Sequence, residues 1–463
     1  MVRIAATKNH MKRKSTEYPA DRSKSLDYLW FTFAVVLLIA QFSCSPQLVI
    51  SKKIVLKQMV SKSPDFADHF TGFVLYDPET KTYLAEQNGD KYFTPASNTK
   101  LFTYYSGLRL LGDSIPALKY AEANDTLFFT GTGDPTFLHP DFEYQPAFDL
   151  LSDTTKALIW QPENYKDPVF GPGWSWDDYL YYYQPERAGL PIYGNFVRFS
   201  MLPGDTTPKV NPPFFQQFVE ARPFEKQRTL VERDLSYNSY LFFTPEKLDT
   251  VERDVPFKYS FSLGRELLQD TLKKPVVFGY KPDSLQWKTL KGYPSQKVYQ
   301  AMLWPSDNFI AEQILVMCSS GFGDTLSGNN TLWFVKNKYL NDLPDAPIWH
   351  DGSGLSRYNM FTPRSLVALL EETSTLVEQK ELFRTLAIGG QAGTIRRWYA
   401  GETEPYVFAK TGTLSGVHSL SGFIKTNSGK VLIFSFMHNN YPGFTNPIRE
   451  QMQEVLEFVR DKY

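Results

Sequence analysis

The stretch "FTPASNTKLFTYYSGLRLLG", residues 93 to 112, places a serine and a lysine three positions apart at the head of a helical pattern. Leu101, Tyr104, Tyr105, Leu108 and Leu111 recur at three- and four-residue spacing, which predicts a helix with one buried stripe. Ser97 and Lys100 then lie one turn apart on the same side, within reach of each other. Two readings are open: Ser97 caps the helix, or Lys100 turns it into a nucleophile. A serine and lysine at this spacing arise by chance on the order of twice in a chain this long, so the pair alone decides little.

The second reading makes a demand. To accept the serine proton, the amine must be neutral part of the time, although a free lysine titrates near ~10.4. Burial lowers that value, and so does a second cation nearby. One is supplied by "AKTGT", where Lys410, Thr411, Gly412 and Thr413 lie on an expected strand. The glycine lets the strand backbone approach a ligand closely, and Lys410 with Thr411 is suited to hold a carboxylate. A third element is "WPSDNFIAEQIL": Ser306, Asp307 and Asn308 precede a strong helical pattern of Phe309, Ile310, Gln313, Ile314 and Met317. Two other S-x-N triplets start at Ser236 and Ser327. For Ser306 alone, a helix cap competes with a catalytic role.

Bulk composition excludes several classes. With 49 Lys and Arg against 50 Asp and Glu, no overall basic field attracts nucleic acid or acidic lipid. The six histidines include no H-E-x-x-H arrangement, and no G-x-S-x-G elbow occurs. We therefore expect no metal and no cofactor. Two cysteines, Cys44 and Cys318, are too few for a disulfide framework, and Cys318 reads as a buried apolar group.

Before Cys44, a basic leader with Lys8, Lys12, Arg13, Lys14, Arg22 and Lys24 runs into "LWFTFAVVLLIAQFSCS". Its apolar part, about 14 residues, is nearer a signal h-region than a membrane span. Residues 1–44 read as an export signal. Cys44 after Ser43 suits a lipidated cysteine, ordinary cleavage nearby is an alternative, and an uncleaved signal anchor is a third. All three place the rest of the chain outside the cytoplasmic membrane, in the periplasm or cell envelope.

Beyond a short helix expected near residues 52–61, "TGFVLYDPETKTYLAEQNGDKYFTPAS" alternates around turn signals at Asp77-Pro78 and Asn88-Gly89, predicting a hairpin that leads to Ser97. At the far end, "EPYVFAKTG", "SLSGFIKT" and "KVLIFSFMHNN" read as consecutive strands. A closing helix follows, with Asn446 as N-cap, Pro447 at its first position, and Ile448, Met452, Val455, Leu456 and Val459 on one face. The expected fold class is α+β: residues 45–115 and 295–463 form one domain of antiparallel sheet and helices built from both chain ends. Residues 116–294 are too long for a loop and read as one or more inserted β-rich domains.

The order S-x-x-K, S-x-N, K-T-G is similar to the set carried by penicillin-binding proteins and class A β-lactamases. With "GTGDPTF" (131–137), "GPGWSWDD" (171–178), "HDGSGLSR" (350–357) and "GGQAGTIRR" (389–397), the chain resembles the low-molecular-mass penicillin-binding proteins of the D-alanyl-D-alanine carboxypeptidase/endopeptidase family. These carry a large insertion after the S-x-x-K helix on a transpeptidase domain of the β-lactamase-like type.

The resemblance implies Ser97 as nucleophile, Lys100 as its base, and Ser306 as proton relay to the leaving amine. It implies Asn308 orienting the substrate amide, Lys410 and Thr411 binding the terminal carboxylate, and the N–H groups of Ser97 and Thr413 as oxyanion hole. Asp178 in "WSWDD" matches the acidic residue that reads an amino group on the third side chain of the peptide; a helix cap at Asp177 and Asp178 is the bland alternative. The partners so implied are peptidoglycan stem peptides, with β-lactams as covalent inhibitors. A β-lactamase or esterase on the same scaffold, or a non-hydrolytic sensor of muropeptides or β-lactams, remain competing readings.

Overall fold

The computed structural model describes residues 51–463 except 206, 224–229 and 245–249. The signal-like segment and Cys44 lie outside the described residues. Elements that build the site are numbered in chain order. Helix α1 (Lys52–Ser61) leads into the hairpin β1 (Phe70–Asp77) and β2 (Thr82–Gln87), and the chain then enters helix α2 (Lys100–Leu110). After a long excursion come α3 (Asn308–Cys318) and α4 (Pro363–Leu376). Then follow β3 (Ala387–Ile388), β4 (Val407–Leu414), β5 (Val417–Lys425), β6 (Val431–Asn439) and α5 (Asn446–Lys462).

The six strands form one antiparallel sheet in the order β3-β4-β5-β6-β1-β2. Strand β1 from one end of the chain pairs with β6 from the other, Phe73 opposite Phe436. Alternation along the strands feeds two cores: Phe73, Leu75, Phe434 and Phe436 point to one, Val74, Tyr76, Ile433 and Met437 to the other. Helix α5 closes the first core with Ile448, Met452, Val455, Leu456 and Val459, the five residues its periodicity marks. Each large apolar side chain so buried contributes roughly 1.5–3 kcal/mol. The N-cap position of α5 falls to Thr445, with Asn446 already helical.

The second core holds α2, α3 and α4. Here the single-stripe expectation for α2 is corrected, because every residue from Lys100 to Gly107 is buried. Polar positions tolerate this by bonding backbone: Thr103 Oγ1 donates to Gly352 O at 2.6 Å and Ser106 Oγ to Phe102 O at 2.8 Å.

Between α2 and α3 the described residues build a five-stranded sheet and two three-stranded sheets. It leaves along Ser114–Ala123 and returns along Lys288–Pro294, and these two strands pair with each other. A third core lies wholly within this stretch, from Ala117 to Val276, around Phe129, Trp160, Phe199 and Phe242. Helix Phe261–Leu272 packs on it through Leu267 and Leu268.

Leu456 is fully buried where α5 meets the sheet. Leu456→Ala should lower the unfolding free energy by about 2–5 kcal/mol, read as a lower urea midpoint with an unchanged slope.

Candidate active site

Ser97 sits in a 3-10 turn, Ala96–Thr99, immediately before α2. It is not the cap of that helix; Thr99 holds the cap position, without a side-chain bond. The turn is held under strain. Ala96 has φ +48°, Thr99 Oγ1 donates to its carbonyl at 2.8 Å, and a Cβ on Gly354 would lie 1.9 Å from that same oxygen. Strand β4 presses on the turn from the other side. A Cβ on Gly412 would stand 2.3 Å from Pro95 O and 2.9 Å from the nitrogens of Ser97 and Asn98. Glycine in the K-T-G triplet is thus required by the approach of the strand to the serine turn.

Lys100 is fully buried, and its Nζ has three oxygen neighbours: Ser97 Oγ at 2.9 Å, Asn308 Oδ1 at 2.7 Å and Ser353 O at 2.7 Å. The last two are acceptors only. A neutral amine spends its two N–H bonds on them, which leaves its lone pair for the Ser97 hydroxyl. Burial pulls the Lys100 pKa down to about 8, against the opposing carboxylates of Asp307, Asp351 and Glu312. The second cation acts in the converse direction to our expectation. Burial first, and then the charge of Lys100, hold Lys410 well below its ordinary value.

Ser306 has φ +68°, and its Oγ accepts from Lys410 Nζ at 2.9 Å. The cap of α3 is Asp307, whose carboxylate accepts from Ile310 N at 2.7 Å, so Ser306 is free to face the cleft. Asn308 bridges two parts of the chain, accepting from Lys100 and donating through Nδ2 to Tyr183 O at 2.9 Å. Lys410 also donates to Thr411 O at 2.8 Å, Thr411 Oγ1 donates to Thr394 Oγ1 at 2.7 Å, and the Thr413 hydroxyl meets His418 Nδ1 at 2.9 Å. Ser353 offers its carbonyl to Lys100 and has a fully buried side chain.

One cleft of about 600 Å³ gathers Ser97, Ser306, Asn308, Thr411, Thr413 and Asp178, with the buried amines of Lys100 and Lys410 bonded to Ser97 and Ser306 in its wall. Asp178 lies in the short helix Trp176–Leu180; its N-cap position is Ser175, so neither Asp177 nor Asp178 is the cap. The Tyr183 phenol beside Asp178 is held above its ordinary value by burial and then by that carboxylate. A larger cleft of about 710 Å³, around Phe218, Arg233 and Tyr240, contains none of the motif residues. Among the described residues no cluster of His, Cys, Asp and Glu is arranged to hold a metal ion.

Sequence reasoning missed Arg396 and Arg449, which add positive charge to the same cleft, and Glu312, buried behind Lys100. Arg396 lies inside "GGQAGTIRR", which was a usable signal; Arg449, in the first turns of the closing helix, had none.

A profile of the D-Ala-D-Ala carboxypeptidase 3 (S13) family matches residues 53–232 and 262–459, spanning all three motifs. The chain belongs to that family. As an S13 member it is a serine-type D-alanyl-D-alanine carboxypeptidase. Similar to it are the D-alanyl-D-alanine carboxypeptidase DacB of Haemophilus influenzae, 23% identical over 88% of this chain and 93% of the relative, and the D-alanyl-D-alanine carboxypeptidase of Actinomadura sp. (strain R39), 25% identical over 83% and 80%. Penicillin binding protein 4 from Haemophilus influenzae shares the fold at a TM-score of 0.70 and 20% identity, over 88% of this chain and 99% of that one. The S13 member thus has the transpeptidase-type α+β fold expected from the motifs.

Gly412→Ala should lower the unfolding free energy by about 1–3 kcal/mol, measured by urea titration, because neither Pro95 nor the serine turn has room to retreat.

Proposed function

We propose that Ser97 is the nucleophile and Lys100 its general base. The observation that carries this is the 2.9 Å contact between a fully buried amine and the Ser97 hydroxyl. Ser97 Oγ attacks the carbonyl carbon between the two D-alanines of a peptidoglycan stem peptide while its proton passes to Lys100 Nζ. The N–H groups of Ser97 and Thr413 stabilise the oxyanion, a contribution typically of about 3–4 kcal/mol per donor. The C–N bond then breaks, and the departing amine of D-alanine takes a proton through Ser306 Oγ, which is bonded to Lys410. Water hydrolyses the Ser97 ester and releases the shortened peptide.

Asn308 orients the substrate amide. Lys410 and Thr411 receive the terminal carboxylate, and Arg396 and Arg449 supply further positive charge in the same cleft. Asp178 pairs with an amine on the third side chain. A β-lactam presents a similar carbonyl and carboxylate and would acylate Ser97. The relative in Dictyostelium discoideum, named penicillin-sensitive carboxypeptidase A, supports that reading. Residues 116–294, with their own core, serve as an insertion that walls the cleft through Asp178, Tyr182 and Tyr183. The leader before Cys44 supports a place in the periplasm or cell envelope, with a lipid on Cys44 as the anchor. Among the described residues no helix is long and apolar enough to cross a membrane.

A pentapeptide ending in D-Ala-D-Ala should lose D-alanine on incubation with the purified protein, and Ser97→Ala should slow this by about 10³-fold or more. Labelled penicillin should attach at Ser97; rapid turnover of penicillin with the peptide left intact would instead mean a lactamase. Acylation should rise with pH through a midpoint near about 8, since only the neutral Lys100 amine accepts the proton. Asp178→Asn should raise KM up to about tenfold for peptides with a free amine at the third residue and leave kcat unchanged.

A further inference from the structure

Lys100 depends on one acceptor that no motif residue supplies, the carbonyl of Ser353. That carbonyl belongs to the loop "HDGSGLSR", which has neither helix nor strand to fix it. Glu312 does the fixing. It stands four residues after Asn308 on α3, on the same helix face, and its side chain is only 2% exposed. Its Oε1 accepts from Gly352 N at 2.9 Å and from Ser353 N at 2.8 Å.

The second oxygen of Glu312 faces a different part of the chain. Oε2 accepts from Arg187 Nη1 at 3.3 Å, and that guanidinium, 4% exposed, also donates through Nη2 to Pro168 O at 2.9 Å and Phe170 O at 3.0 Å. The ring of Trp174 lies against it, and the indole N–H of Trp174 donates to Asp351 Oδ2 at 2.9 Å, back on the same loop. A buried carboxylate with two backbone donors on one oxygen and an arginine on the other has no rotational freedom left.

We infer that Glu312 is the positioning residue for the Lys100 amine, clamping the Ser353 carbonyl in place and tying it through Arg187 to the segment between the serine and S-x-N motifs. The inference rests on the reading of Lys100 as base. Glu312 acts in two separable ways. Its length sets where the loop carbonyl sits, and its negative charge favours the protonated amine, since the Glu312 carboxylate raises the Lys100 pKa against the effect of burial. Asp307 and Asp351 act in the same direction from α3 and from the loop, Lys410 on β4 is the cation that faces Lys100, and Arg187 is the cation bonded to Glu312 itself. Burial, and then Asp351, push the Glu312 carboxyl up to about 7, so it is charged on the ascending limb near about 8.

The test follows the rate of covalent labelling by fluorescent penicillin as a function of pH in the full chain, with thermal melts alongside. Glu312→Gln keeps the length and removes the charge; its ascending limb should move to lower pH by roughly half a unit. Glu312→Asp keeps the charge and shortens the reach; its limb should stay in place while the plateau falls about 10²-fold. Equal plateaus and limbs in wild type and both variants would overturn the inference. So would rates that fall only in step with melting temperature with no movement of the limb in Glu312→Gln, which a purely structural role predicts. If the Gln variant does not fold, the Asp variant decides, and a wild-type plateau there refutes the clamp. Absence of label on the wild-type protein would instead refute the reading of Ser97 itself, which keeps the two failures apart.

Discussion

The burial of one amine governs the rest of this structure. Lys100 has no solvent contact, and the two acceptor-only oxygens beside it, from Asn308 and Ser353, occupy the N–H bonds of its neutral form and aim its lone pair at Ser97. Such burial has a thermodynamic cost with a definite sign. A lysine that titrates near about 8 in the folded protein and at its ordinary value when unfolded binds its proton more weakly in the native state. Stability therefore rises with pH between those two values, and below them the native state carries the full cost of a buried charge. Lys410 adds a second cost of the same sign.

The fold offsets that cost with apolar burial on both faces of the central sheet. Strand β1 donates alternate residues to two cores, and β6 does the same from the opposite end of the chain. Rigidity follows from this arrangement. With β4 held between β3 and β5, its glycine can lie against the serine turn at a distance no side chain would allow. The turn in turn keeps Ala96 in a left-handed conformation that an alanine in solution avoids. Strain at Ala96 and at Ser306, φ +48° and +68°, is concentrated at the Ser97 and Ser306 hydroxyls, two of those that line the cleft.

Much of this was legible in the sequence, for reasons that differ by element. Helix α5 could be read because one of its sides meets water, so that its five buried residues stand out against polar neighbours. Helix α2 misled because it meets water on no side along its first two turns, and its buried threonine and serine satisfy themselves on backbone carbonyls. Ser306 was recognisable by spacing, yet its freedom from the cap role depends on Asp307 taking it, a choice between adjacent residues that composition does not settle. The pair Arg187–Glu312 was beyond reach: its members are 125 positions apart, and each, read alone, is an ordinary surface residue type.

The distance between those partners shows that the stretch following α2 braces the Lys100 site from well outside the three motifs. The carbonyl of Tyr183 fixes the amide of Asn308, and an amide fixed that way can present only its oxygen to Lys100. Arg187, four residues on, neutralises the carboxylate that holds the loop carrying Ser353. Both acceptors that confine the Lys100 amine are thus braced from outside the sheet, by a segment whose exposed face also presents Asp178 to the cleft. The stretch that carries Asp178 into the cleft and the contacts that confine the Lys100 amine are therefore parts of one bonded network. Residues 183–187 thus reach the Lys100 amine along two separate routes, one through Asn308 and one through Glu312 and the Ser353 carbonyl.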